Sequence, residues 1–149
     1  MNIYCMRHGR THYNDLGLCN DDPCQHVHLT ESGIAQAESA ALVPIEVHPD
    51  LADIRSGFEG KPVADYFRAI SADPLQMRIN GGESVLDHKQ RIVRFIKWLA
   101  NQKDESVLIV AHEETMRVFV AYFEGGIEDS QLRDIHVGNC EYRHYALPR

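Results

Sequence analysis

Two short apolar runs, Ile3 to Met6 and Val107 to Ala111, have almost no polar alternation and stop abruptly, the first at Arg7-His8-Gly9 and the second at His112. Runs of strand length without alternation read as strands buried on both faces, as in a parallel sheet. Elsewhere the apolar positions recur at helical spacing. Thr30 is placed to cap a helix from about Glu31 to Leu42, with Ile34, Ala37 and Ala41 on one stripe and Pro44 as its stop. Val43 to Val47 reads as a short strand. Pro62 opens a helix with Val63, Tyr66, Phe67 and Ile70 on its apolar face, and Asp73-Pro74 ends it. After the Asn80-Gly81-Gly82 turn, Glu83 or Ser84 starts the longest helix, to about Asn101, with Val85, Ile92, Phe95, Ile96 and Leu99 as a core stripe. A helix from about Glu113 to Phe123 follows the second strand and stops at Gly125-Gly126, and Glu141 to Leu147 reads as a final edge strand. Thr11 to His28, rich in Asn, Asp, Gly and Pro, reads as an irregular loop.

Strands alternating with helices predict an α/β fold: three layers, with a mostly parallel central sheet and helices on both faces. A chain of 149 residues, 44% of them hydrophobic, suits one domain over 1–149, and it shows neither linker nor repeat. The net charge of -7 argues against nucleic acid or an anionic membrane as a partner, since either favours a basic face. The first strand begins almost at Met1, with no basic segment followed by an apolar one, so no secretory signal is expected, and the longest apolar runs are too short to span a bilayer. The expectation is a soluble, cytoplasmic protein.

The four cysteines do not form a disulfide framework for a chain of this size. Cys5 and Cys140 fall in the first and last predicted strands, as small buried hydrophobes. Cys19, Cys24, His26 and His28 are zinc-type donors, but their spacing matches no common zinc module, and neither metal nor cofactor is expected.

In an open α/β sheet, ligands bind beyond the carboxyl ends of the strands, where Arg7, His8 and His112 fall. If the two strands are neighbours, both histidines meet beside one arginine, a composition suited to an anion and most simply to phosphate. The helix beginning after His112 adds the favourable end of its dipole. The bland alternatives are strand-end side chains in ordinary hydrogen bonds, and for His112 a satisfied core histidine.

Arg7-His8-Gly9-x-Thr11-x-x-Asn14, with Ala111-His112 far downstream, resembles the histidine phosphatase superfamily, the phosphoglycerate mutase-like family. Further stretches resemble it in the same order: Leu29-Thr30-x-x-Gly33-x-x-Gln36-Ala37, then Leu51-x-Asp53-Ile54-x-x-Gly57-x-Glu59-Gly60, then Gly82-Glu83-Ser84 with Arg91. The resemblance implies a metal-independent phosphatase acting on a small phosphomonoester. His8 would take the phosphoryl group as phosphohistidine, Arg7 and Asn14 would hold phosphate oxygens, and His112 would stabilise transition-state charge. Asp53 aligns with the family's glutamate, which protonates the leaving alcohol and helps activate water; a loop carboxylate capping the backbone is the alternative.

Two departures stand out. Asp53 is one methylene shorter than glutamate, so its loop must bring it closer. The strand and helix that normally carry a second phosphate-binding arginine are missing between Leu42 and Leu51, with Arg10, Arg55 and Arg117 as possible substitutes. Losing one preorganised donor of this kind costs about 10²- to 10³-fold, so a slow enzyme is expected. The sheet should be one strand narrower, leaving an apolar edge or face that a second copy could cover as a homodimer. The alternative is a noncatalytic member that binds a phosphorylated ligand or a protein partner.

Overall fold

The computed structural model describes residues 1–22, 24–38 and 46–148. Among these residues the sheet has three strands: β1 (Asn2–Arg7), β2 (Ser106–Ala111) and β3 (Tyr142–Ala146), in the order β2-β1-β3. β1 pairs parallel with β2, Ile3 opposite Val107 and Arg7 opposite Ala111, and antiparallel with β3, Cys5 opposite Arg143. The mixed α/β architecture and the narrowed sheet agree with expectation. The register brings the ends of β1 and β2 level, so His8 and His112 leave the sheet side by side.

Five α-helices are formed by the described residues: α1 (His12–Leu16), α2 (Glu31–Glu38), α3 (Val63–Ala69), α4 (Val85–Leu99) and α5 (Glu113–Glu124). Two 3-10 turns, Pro49–Leu51 and Asp129–Asp134, complete the assignment. α4 starts where a capping box allows it: the Ser84 hydroxyl accepts from the Asp87 N–H, and the Asp87 carboxylate accepts from the Ser84 N–H. The apolar faces of α4 and α5 meet one face of the sheet. Ile3, Cys5, Ile92, Ile96, Met116 and Phe119 lie at the centre of this core and are fully buried, each such large aliphatic or aromatic side chain contributing about 1.5–3 kcal/mol.

Several expectations change. β1 and β2 are not buried on both faces, because Tyr4, Leu108 and Val110 remain 40%, 39% and 49% exposed. An apolar run specifies a strand but not how many layers will cover it, and the shortened fold leaves this face partly open. The Thr11–His28 stretch is not wholly irregular: Thr11 and Asn14 form a capping box that starts α1. Cys140 lies before β3 rather than in it, in a left-handed conformation with φ 56. Ile34 of α2 is exposed rather than packed. The end of the helix expected to reach Leu42, its Pro44 stop and most of the expected strand over 43–47 lie outside the described residues. No helix among the described residues is long and apolar enough to cross a membrane.

Candidate active site

At the carboxyl edge of β1 and β2 a cavity of ≈ 270 Å³ is lined by Arg7, His8, Asn14, Asp53 and His112, together with Glu113, Glu114 and Arg117. Each group arrives from its own element. Arg7 ends β1 and His8 follows it directly, Asn14 sits in the first turn of α1, and His112 is the N-cap of α5. Asp53 follows the 3-10 turn at Pro49–Leu51.

The His8 and His112 rings have their centroids 4.9 Å apart at an interplanar angle of 64°. His8 Nδ1 lies 2.8 Å from the Gly9 carbonyl, which holds a proton on that nitrogen and leaves Nε2 as the basic one. Burial lowers the His8 pKa below its ordinary 6.5, helped by the facing His112 and by Arg7 against the raising effects of the Gly9 carbonyl and Asp53. The ring is therefore kept neutral. His112 Nδ1 lies 3.3 Å from an Asp53 carboxylate oxygen, and the other Asp53 oxygen accepts from the Ile54 N–H at 2.8 Å. The Asp53 carboxylate, though one methylene shorter than glutamate, thus reaches His112. Asn14 spends its side-chain oxygen on the N–H and hydroxyl of Thr11, both at 3.0 Å, so what it can offer the cavity is its NH₂.

Arg7 is less free than its position in the sequence suggested. Its Nη1 donates to the Val137 carbonyl at 2.6 Å and pairs with Glu113 at 2.7 Å, while its Nε is buried without a partner among the described residues. Of the three candidates for a second arginine, only Arg117 lines this cavity. It donates to Glu114 at 2.7 Å, to Glu113 at 3.0 Å and to the Ile135 carbonyl at 2.8 Å. Arg10 is exposed and paired with Asp15, and Arg55 turns to Glu83. The sequence reading missed Glu113 and Glu114, which line the cavity; the available signal was two carboxylates directly after His112, in the first turn of the helix it caps.

The outer wall comes from the loop after α1 and from α3: Leu18, Cys19, Asn20, Val63, Tyr66 and Phe67. Isolated bridges between Leu18 and Pro62 and between Cys19 and Glu59 hold these segments together. Asp21 fixes the turn by accepting from the Ser56 hydroxyl at 2.8 Å and the Gly57 N–H at 2.7 Å. Burial pushes the Cys19 thiol up, which suits a wall rather than a nucleophile. Cys24, His26 and His28 are exposed, Cys19 is buried away from them, and no three His, Cys, Asp or Glu side chains among the described residues gather to hold a metal.

A sequence profile of the histidine phosphatase superfamily (branch 1) matches residues 39–147. The chain belongs to this family. The profile match begins after the Arg7-His8-Gly9 segment, but the structural likeness includes it. The α-ribazole phosphatase from Shigella flexneri superposes with a TM-score of 0.83 over 100% of this chain and 92% of its own, at 20% identity. The phosphoserine phosphatase from Entamoeba histolytica in complex with 3-phosphoglyceric acid gives 0.77 over 96% and 89%, at 18% identity. YhfR from Bacillus stearothermophilus gives the same values. At such identities the likeness is one of fold. No curated protein sequence matches significantly.

Proposed function

We propose that this histidine phosphatase superfamily member is a metal-independent phosphatase that hydrolyses a small phosphomonoester through a phosphohistidine on His8. The observation that carries the reading is the His8 ring, with Nδ1 held by the Gly9 carbonyl and its pKa lowered, facing His112 in a cavity that also holds Arg7 and Asn14. A neutral imidazole with one free nitrogen is a competent nucleophile toward phosphorus.

In the first half-reaction the His8 Nε2 lone pair forms the N–P bond as the P–O bond to the alcohol breaks, and Asp53 supplies the proton that the leaving oxygen takes. Arg7, the Asn14 NH₂ and His112 meet the charge on the non-bridging oxygens, which is why the reaction can dispense with a metal. In the second half-reaction Asp53, now a carboxylate, removes a proton from water. The water oxygen bonds to phosphorus as the N–P bond breaks, releasing inorganic phosphate and restoring neutral His8.

The alcohol has room to extend. A mostly apolar cavity of ≈ 650 Å³, with Val47, Pro49, Leu51 and Val110 in its walls, adjoins the first, and Asn20, Asp53 and His112 line both. A leaving group protonated by Asp53 would point there, which favours a small organic alcohol over a protein substrate.

A noncatalytic member that binds phosphorylated ligands is the second reading, favoured by the 2.7 Å pairing of Arg7 with Glu113, which places a carboxylate on the principal phosphate donor. Labelled phosphate trapped on the wild-type protein and mapped to His8, with turnover of an aryl phosphate that persists in EDTA and vanishes in His8→Ala, supports the phosphatase. Phosphate binding without label or turnover supports the second reading.

A further inference from the structure

Arg91, on α4, is buried and outside the cavity, yet its guanidinium grips the segment that carries Asp53. Nη1 donates to the carbonyls of Asp50 at 2.8 Å and Ala52 at 2.9 Å, and Nη2 donates to that of Asp53 at 3.0 Å. Nη2 and Nε also donate to one oxygen of Glu83, at 2.7 and 3.2 Å. Buried His88 completes the unit, its Nδ1 3.3 Å from that same oxygen. Taking ions out of water costs several kcal/mol apiece, and apolar side chains would hold α4 to this segment equally well. Apolar packing cannot fix the direction of three carbonyls, which a planar fork of donors does.

We infer that Arg91 is a positioning residue that sets the Asp53 carboxylate within reach of the leaving oxygen. The inference rests on the phosphatase reading and extends it to the machinery behind the acid. The carbonyl of Asp53 is held from the α4 side while its carboxylate lies 3.3 Å from His112. A shift of about 1 Å in a reacting group can cost about a hundredfold in rate.

The test compares kcat/KM of wild type and Arg91→Lys on two substrates, an aryl phosphate whose phenolate leaves without a proton and an alkyl phosphate whose alkoxide needs one. Lysine keeps the charge and loses the fork. The expected result is a loss of about a hundredfold on the alkyl phosphate and less than about threefold on the aryl phosphate, because only the first depends on a placed acid. Equal losses on both substrates, or loss on neither, would overturn the inference, as would a wild type that hydrolyses aryl but not alkyl phosphates. If Arg91→Lys does not fold, by circular dichroism and thermal melting, Glu83→Gln loosens the same fork and is read in the same way. A wild type that never labels at His8 removes the phosphatase reading itself, and this inference with it; labelling without a leaving-group-dependent loss removes only the role of Arg91.

Discussion

Arg7 and Glu113 share a partly buried 2.7 Å ion pair at the wall of the candidate active site. Glu113 also accepts from Arg117 at 3.0 Å and lies 3.2 Å from His136, so this carboxylate offsets part of the positive charge a phosphate would meet. Two unit charges about 6 Å apart at an effective dielectric of 20 interact by about 3 kcal/mol, and half of that surviving screening is about tenfold in affinity. Glu113→Gln is therefore expected to tighten inhibition by inorganic phosphate by about tenfold, measured as a competitive Ki. Weaker inhibition would make Glu113 a support for Arg7 rather than its competitor.

The lowered pKa of His8 sets a direction for pH dependence. Its imidazole stays neutral below pH 6.5, so the acid limb of kcat/KM should fall below that value, activity disappearing only as the ring finally protonates. Burial is the leading cause and the facing His112 the next, so His112→Asn should move the titration upward toward 6.5. NMR of the His8 ring in both proteins measures this without relying on the variant's activity. A wild-type His8 that titrates above 6.5 would remove the neutral-nucleophile argument.

What the chain announces in advance is whatever depends on local order. The apolar runs ending in His8 and His112 foretold β1 and β2, and the Ser84 cap and its stripe foretold α4. Because strand ends collect at one rim, the meeting of Arg7, His8 and His112 also followed, while Asn14 and Asp53 were named by the family resemblance alone. The pairing of Arg7 with Glu113 and the grip of Arg91 on the Asp53 segment did not. Both depend on side-chain directions between segments distant in sequence, and no periodicity encodes those. The open sheet face at Tyr4, Leu108 and Val110 was hidden for a different reason: an apolar run is the same whether one layer or two will cover it. The Thr11/Asn14 capping box is local too, but the turn-rich composition around it reads as loop and conceals so short a helix.

The Glu83 carboxylate predicts how the fold responds to acid. Burial would raise its pKa, but hydrogen bonds from His88, Arg91 and Arg55 outweigh this and hold it at about 2 against an ordinary 4.5. A depressed acid stabilises the fold fully above the unfolded value, and that contribution drains away as pH falls from 4.5 toward 2. Glu83→Gln should cost about 3 kcal/mol at pH 7, since it also leaves buried Arg91 without its counter-charge. The gap between the two proteins should narrow steadily below pH 4.5, as chemical denaturation across pH would record. A gap that is constant with pH would mean that Glu83 acts through packing alone.

Gly33 gives a steric prediction close to the nucleophile. A Cβ placed there would lie 2.0 Å from the Arg10 carbonyl oxygen, and one on Gly9 would lie 2.5 Å from the Gly33 carbonyl oxygen. The two glycines therefore let the start of α2 rest directly on the backbone that leaves β1, an approach made firm by the Thr30 N–H donating to the Arg10 carbonyl at 2.8 Å. Gly33→Ala must push that backbone aside, and overpacking of this kind costs about 1–3 kcal/mol. Since the displaced backbone includes Gly9, whose carbonyl holds His8 Nδ1, activity should fall by more than stability alone explains. The measurement is turnover at a temperature where circular dichroism shows the variant fully folded, and undiminished turnover there would mean that α2 does not bear on the orientation of His8.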